Sequence, residues 1–316
     1  MSAPRPLRPP LSAVVISTAF GTGGDGIFPY TLWPPYRRLQ RQARDYGLTI
    51  FSKSATRYPR RGNFIPANPL TWKYIQRLPG LGMLNAYGLT NPGVEVCAAR
   101  ISRSLAAGFR VIPNFYPEFA KGEDLALAET LTAITLYRRF LGSAFWALEL
   151  NFSCPNSREE IRTNVRQVSA CVRRLRQEAP DLFLIAKLSI LHPLELAQEL
   201  EALGVGAIHA VNTIPYDLVF PPGQYPPSPL AAVGGGGVSG GPAFALARDY
   251  NARLRHKIKT FLIMGCGVSS LAQAQEYFDL GADAVSLCTL VLRKPQEADR
   301  IIARWGQPDA ASDFCL

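Results

Sequence analysis

Short apolar runs and longer amphipathic runs alternate along most of the chain. The runs at 11–18, 48–53, 110–115, 145–148, 183–188, 207–212, 260–264 and 284–287 are apolar and often β-branched, and each reads as a strand. The intervening periodicity predicts helices over 34–46, 94–105, 123–141, 159–176, 193–203 and 271–280, with a further helix opened by Pro242. Pro92 suits a helix start and Gly204 a helix stop. Continuous apolar strands are buried on both faces, as a parallel sheet covered by helices requires. Eight such units predict an α/β fold, a (β/α)8 TIM barrel, with an open doubly wound sheet as the alternative. One domain over 1–316 is expected, with 1–10 as a flexible tail and 305–316 as a C-terminal tail. The pattern breaks over 56–84, where prolines, Arg60-Arg61-Gly62-Asn63 and the aromatics Phe64, Trp72 and Tyr74 read as a long excursion above the barrel.

Composition narrows the function. The chain has 316 residues, 47% of them hydrophobic, and a formal net charge of +10. Its basic runs, such as Arg37-Arg38 and Arg173-Arg174, are short, and no nucleic-acid motif accompanies them. A positive field favours small anions and a phosphorylated cofactor. The cysteines (Cys97, Cys154, Cys171, Cys266, Cys288 and Cys315) form no CxxC pair, so neither a zinc site nor a disulfide framework is expected. No apolar run is long enough to span a bilayer, and the Pro- and Arg-rich start lacks a signal-type apolar segment. The expectation is a cytoplasmic protein without membrane or nucleic-acid partners.

The candidate chemistry sits at the strand ends. The fourth strand runs into Glu149-Leu150-Asn151-Phe152-Ser153-Cys154-Pro155-Asn156. That segment offers amides, which read the edge of a planar heterocycle, and a thiol, which can take a proton. Lys53, Asn114, Asn151, Lys187, Asn212 and Thr289 all fall at the same phase of the repeat, so a barrel gathers them on one face. Buried lysines need an anion opposite them. The loops after the last strands, Gly265-Cys266-Gly267 and Cys288-Thr289, together with Gly240-Gly241, suit a phosphate. The glycine-rich loop from Ala19 to Gly26 also allows close approach of backbone to a ligand.

The chain resembles the dihydroorotate dehydrogenase family, in particular its soluble class, from about Ala13 to Leu292. The resemblance rests on Asn151-Phe152-Ser153-Cys154-Pro155-Asn156, Gly82-Met83-Leu84-Asn85-Ala86-Tyr87-Gly88-Leu89, Lys53-Ser54-Ala55-Thr56, Arg61-Gly62-Asn63, Val211-Asn212-Thr213 and Gly237-Val238-Ser239-Gly240. It implies FMN at the barrel mouth and oxidation of dihydroorotate to orotate in pyrimidine biosynthesis. Cys154 is then the base that takes the C5 proton while the flavin accepts the C6 hydride. Ala19, Gly21, Lys53, Ser54, Asn114, Asn151, Lys187, Val211, Gly240, Cys266, Gly267, Cys288 and Thr289 are the implied cofactor residues. Lys53, Asn85, Ala86, Tyr87, Gly88, Leu89, Asn151, Asn156, Asn212 and Thr213 are the implied substrate residues.

Phe20, Tyr87, Met264, Cys266 and Cys288 stand where the family pattern has smaller residues. They keep two alternatives open: a paralogue acting on another dihydropyrimidine or cyclic amide, and a non-catalytic barrel that binds a phosphorylated ligand. The resemblance also implies a homodimer and leaves the electron acceptor open between fumarate and an iron–sulfur flavoprotein subunit. No metal site is expected in this chain.

Overall fold

A computed structural model of the chain describes residues 9–152 and 158–306, the side chains of 158–162 excepted. Eight stretches form the barrel: β1 Val14–Ser17, β2 Thr49–Phe51, β3 Arg110–Ile112 continuing as Asn114–Phe115, β4 Ala147–Asn151, β5 Phe183–Leu188, β6 Ala207–Ala210, β7 Phe261–Met264 and β8 Ala284–Leu287. Every neighbouring pair is parallel. The two ends of the sheet order are the two halves of β3. Ile112 pairs with Phe51 on one side, and Asn114 pairs with Glu149 on the other. Pro113, which has no N–H, divides the halves, and its carbonyl accepts from Glu149 N at 2.9 Å. The sheet therefore closes on itself, and the doubly wound alternative is set aside.

Strand alternation builds two apolar layers. Val15, Phe51, Ile112, Ala147, Ile185, Ala207, Phe261, Ile263 and Ala284 fill the barrel interior, so every strand contributes. Their neighbours, such as Ile16, Ile50, Leu148, Leu184, Ile208 and Val285, face the helical shell. That shell includes Pro34–Asp45, Val94–Ala106, Glu123–Leu141, Arg158–Glu178, Leu194–Ala202, Phe244–Arg255 and Leu271–Asp279, close to the expected spans. A last helix, Pro295–Trp305, was not expected; it buries Ile301, Ile302 and Trp305 against the first helix. The tail expected from 305 thus overlaps a packed residue.

The excursion is partly sheet. Ile75–Leu78 and Gly82–Asn85 pair with each other, and the latter pairs with Gly237–Ser239, which pairs with Ile214–Pro215, all antiparallel. The loop after β6 and the excursion after β2 are thereby joined above the barrel. The glycines after β1 let that loop pack closely on the third strand and the first helix: a Cβ on Gly24 would lie 2.7 Å from Val111 Cγ2, and one on Gly26 2.3 Å from Gln40 Nε2.

Candidate active site

A cavity of about 1630 Å³ opens at the C-terminal end of the barrel. Every barrel strand contributes to its wall through the residues at or just after its end: Thr18, Lys53, Tyr116, Asn151, Lys187, Val211, Cys266 and Cys288 in chain order. The small sheet adds Asn85 and Ser239. The volume exceeds the roughly 300–1,000 Å³ of an ordinary single-ligand site, so it has room for a cofactor and a substrate together. Lys53, Arg77, Lys187 and Arg293 line it, and among the described residues no Asp or Glu does. Such a wall selects anions.

The polar side chains are tied to one another. Asn212 Nδ2 donates to Asn151 Oδ1 at 3.4 Å, and Asn151 Nδ2 donates to Ser54 Oγ at 2.9 Å. Asn85 Nδ2 donates to the Gly237 carbonyl at 3.3 Å. Lys187 is buried and donates to Ser17 Oγ at 2.8 Å. Lys53 is half-buried, with its ammonium 3.5 Å from the Tyr87 ring centroid. Desolvation pushes the Lys53 amine down to about 8; the nearby Cys288 opposes this, and Lys187 adds to it.

One end of the cavity is built from backbone. Gly240 has φ +78°, and a Cβ there would meet the Leu81 carbonyl oxygen at 2.3 Å. Gly267 has φ +92°, and a Cβ there would lie 2.4 Å from Phe244 Cα. Cys266, although not a glycine, takes the left-handed backbone at φ 65°. Among the described residues, the N–H groups of Gly240, Cys266 and Gly267 have no hydrogen-bond partner in the chain. Thr289 Oγ1 donates to Ser239 Oγ at 2.8 Å, and Cys288 Sγ lies 3.4 Å from Thr18 Oγ1. Open amides beside hydroxyls suit a phosphate, and lysines with amides suit a planar, electron-rich ring. These residues therefore fit FMN.

Most expected residues converge here. Lys53, Ser54, Asn151, Lys187, Val211 and Gly240 line the cavity, as do Cys266, Gly267, Cys288 and Thr289. So do Asn85, Ala86, Tyr87, Gly88, Leu89, Asn212 and Thr213. Ala19 and Gly21 lie behind the wall: the Ala19 carbonyl accepts from Tyr36 Oη at 2.7 Å, and the Gly21 carbonyl accepts from Lys53 N at 2.9 Å. Asn114 is sealed beneath the lining, where its Nδ2 donates to Glu149. Cys154 and Asn156 lie outside the described residues. Two of the enlarged residues turn away from the cavity. Phe20 packs edge-on against Tyr36, 5.5 Å between centroids, and Met264 is buried in the shell.

Sequence reasoning passed over Glu149 and His209. Both point into the barrel, with His209 Nδ1 at 2.5 Å from Glu149 Oε1. The signal was available: Glu149 precedes Asn151 by two residues in a strand, so the two share a face. Arg77 and Arg293 were missed because their positions depend on the excursion and on the turn after β8.

The sequence model for dihydroorotate dehydrogenase matches residues 39–306. The catalytic subunit of dihydroorotate dehydrogenase B (NAD(+)) from Thermotoga petrophila is 26% identical over 260 residues, covering 80% of this chain and 85% of that protein. The protein of the same name from Parabacteroides distasonis is 27% identical over 305 residues, covering 95% of this chain and 88% of that protein. That from Latilactobacillus sakei is 28% identical over 294 residues, covering 88% and 87%. The chain belongs to the dihydroorotate dehydrogenase family of oxidoreductases.

Proposed function

We propose that this member of the dihydroorotate dehydrogenase family holds FMN in the barrel mouth and oxidises dihydroorotate to orotate there, in pyrimidine biosynthesis. The observation that carries the reading is a single cavity fed by all eight strands, lined by Lys53, Arg77, Lys187 and Arg293 and, among the described residues, by no acidic side chain. The amides of Gly240, Cys266 and Gly267, with Thr289, are assigned to the FMN phosphate. Ser54, Asn151, Lys187 and Val211 are assigned to its ring. Bound FMN supplies a hydride acceptor, which no side chain offers.

The chain's own residues do the rest. Lys53 supplies positive charge for the substrate carboxylate. Asn85, Asn151, Asn212 and Thr213, with Asn156, orient the carboxylate and the ring amides. Ala86, Tyr87, Gly88 and Leu89 close the cavity over the ring and exclude water. Cys154 is assigned as the base that takes the substrate's C5 proton.

The relatives' names include NAD(+) and describe a catalytic subunit. We therefore include a separate electron-transfer subunit, an iron–sulfur flavoprotein; the family resemblance adds a second copy of this chain. Among the described residues no His, Cys, Asp and Glu cluster could hold a metal, and no helix is long and apolar enough to cross a membrane.

Tyr87 motivates a second reading. Its ring, held under Lys53, narrows the substrate end, which would favour a smaller or uncharged dihydropyrimidine. The test is anaerobic stopped-flow absorbance of FMN-loaded protein mixed with dihydroorotate or with dihydrouracil. Fast bleaching by dihydroorotate is expected. A yellow protein bleached only by dihydrouracil would select the second reading, and a protein that never takes up FMN would leave a non-catalytic barrel.

A further inference from the structure

Glu149 and His209 take part in none of that chemistry, yet their side chains are only 0% and 2% exposed. A buried carboxylate is tolerated when both oxygens have donors. Here Oε1 accepts from His209 Nδ1 and Oε2 from Asn114 Nδ2. Burial alone would raise the Glu149 carboxyl; Lys187, His209 and Asn114 more than offset this and hold it below its ordinary value. An ionised carboxylate only accepts hydrogen bonds, so His209 Nδ1 carries the ring proton and Nε2 is left as a bare lone pair.

Nε2 is placed where that matters. His209 lines the cavity. Its ring lies beside Phe51, centroids 5.4 Å apart, and a Cβ on Gly265 would stand 3.2 Å from Nε2. The glycine therefore keeps space open at the lone pair. Among the described residues Nε2 has no hydrogen-bond partner. The charged groups facing the ring are Glu149 from β4 and Lys187 from β5, whereas β2, β7 and β8 place Phe51, Gly265 and Ser286 nearby, none of which titrates. Burial and the Lys187 charge hold the imidazole below its ordinary value against the pull of Glu149. The ring is thus neutral until negative charge arrives.

We propose that His209 Nε2, held by Glu149, is a proton-accepting site on the cavity floor that becomes charged when the bound cofactor is reduced. The proposal rests on the FMN reading. In the oxidation, the C6–H bond breaks and both its electrons leave with the hydrogen as hydride, while the C5–H electrons form the new C=C bond as the base takes that proton. The substrate is oxidised, the cofactor is reduced, and one negative charge passes from the base to the cofactor. A proton from water then bonds to the Nε2 lone pair, giving an imidazolium that keeps its Nδ1–H on Glu149. Reoxidation by the electron-transfer subunit returns that proton to water. His209 is a positioning and charge-balancing residue here, and Glu149 fixes its tautomer.

The test is the midpoint potential of bound FMN as a function of pH, which counts protons taken up per two electrons. His209→Gln keeps a donor for Glu149 but cannot take a proton, so it should take up one proton fewer than the wild type between about pH 6 and 9. Equal pH slopes would overturn the proposal. Should the variant not fold, 15N spectra of the wild-type protein decide, since it has only 3 histidines. His209 should show a bare Nε2 with oxidised FMN and two protonated nitrogens after dithionite; a ring unchanged by reduction would overturn the proposal. A colourless protein would overturn both this proposal and the cofactor reading, whereas a yellow protein with a redox-silent His209 would overturn this one alone.

Discussion

The Lys53 ammonium sits 3.5 Å from the centroid of the Tyr87 ring, so this half-buried amine of the cavity wall rests on an aromatic face. The contact favours the charged amine by about 0.5–2 kcal/mol. Desolvation works against that charge and lowers the amine to about 8. Lys53 is therefore charged below that pH and neutral above it. Orotate affinity of the FMN-loaded protein should fall as pH rises through about 8. Tyr87→Leu removes the ring but keeps the site apolar, so the fall should begin roughly 1 pH unit lower. Dissociation constants measured across this range check both statements; superimposable wild-type and variant profiles would contradict the role given to Tyr87.

Cys266 carries a side chain in a backbone conformation that favours glycine, at φ 65°. A non-glycine residue there stores about 1 kcal/mol or more. Cys266→Gly should raise stability by about 1 kcal/mol in urea unfolding and leave FMN binding intact, because the N–H donor remains. Gly240→Ala should do the opposite, since its Cβ would meet the Leu81 carbonyl oxygen at 2.3 Å and push it away. We expect Gly240→Ala to lower both stability and FMN retention. A destabilised Cys266→Gly protein would mean that the thiol contributes packing worth more than the strain.

The barrel was legible because eight apolar runs at a steady spacing leave little choice of architecture. The convergence of Lys53, Asn151, Lys187 and Asn212 followed from their common phase in that repeat. Direction within a strand was harder to read. Met264 stands where the family pattern has a smaller residue, yet alternation turns it into the shell while Ile263 faces the interior. The Glu149–His209 pair was hidden because its partners are 60 residues apart in sequence, on strands that are not neighbours. The small sheet over the mouth was seen only as broken pattern, because strands of two to four residues are too short to show a period.

Cys154 lies outside the described residues, so its role is tested by substitution. Cys154→Ala should lower the rate of flavin reduction by dihydroorotate about 10²–10⁴-fold, the usual effect of losing a general base. FMN should remain bound, since none of the residues assigned to the cofactor is touched. Cys154→Ser should recover part of the rate at high pH, because a hydroxyl is a weaker base than a thiolate. An Ala variant reduced at the wild-type rate would remove Cys154 from the mechanism.

Acid should weaken the fold through His192. The ring is buried; Ser189 N donates to its Nδ1 at 3.1 Å, and its Nε2 donates to Asn164 Oδ1 at 2.9 Å. A second proton would have to enter at Nδ1, against an N–H. Burial accordingly lowers this imidazole to about 4. In the unfolded chain it titrates near 6.5. Between those values the unfolded state holds more protons than the folded one, so stability falls as pH decreases through the window and this contribution levels off below about 4. The full loss from this residue is about 3 kcal/mol. His209, held down by burial and Lys187, acts in the same direction. Glu149, held below its ordinary value, adds a loss only once pH drops below the unfolded carboxylate range near 4.3. Urea unfolding at about pH 7 and about pH 4.5 isolates the histidine part. His192→Gln keeps a donor for Asn164 without a titratable ring, so it should lose markedly less stability than the wild type between the two conditions. Equal losses would assign the acid sensitivity elsewhere.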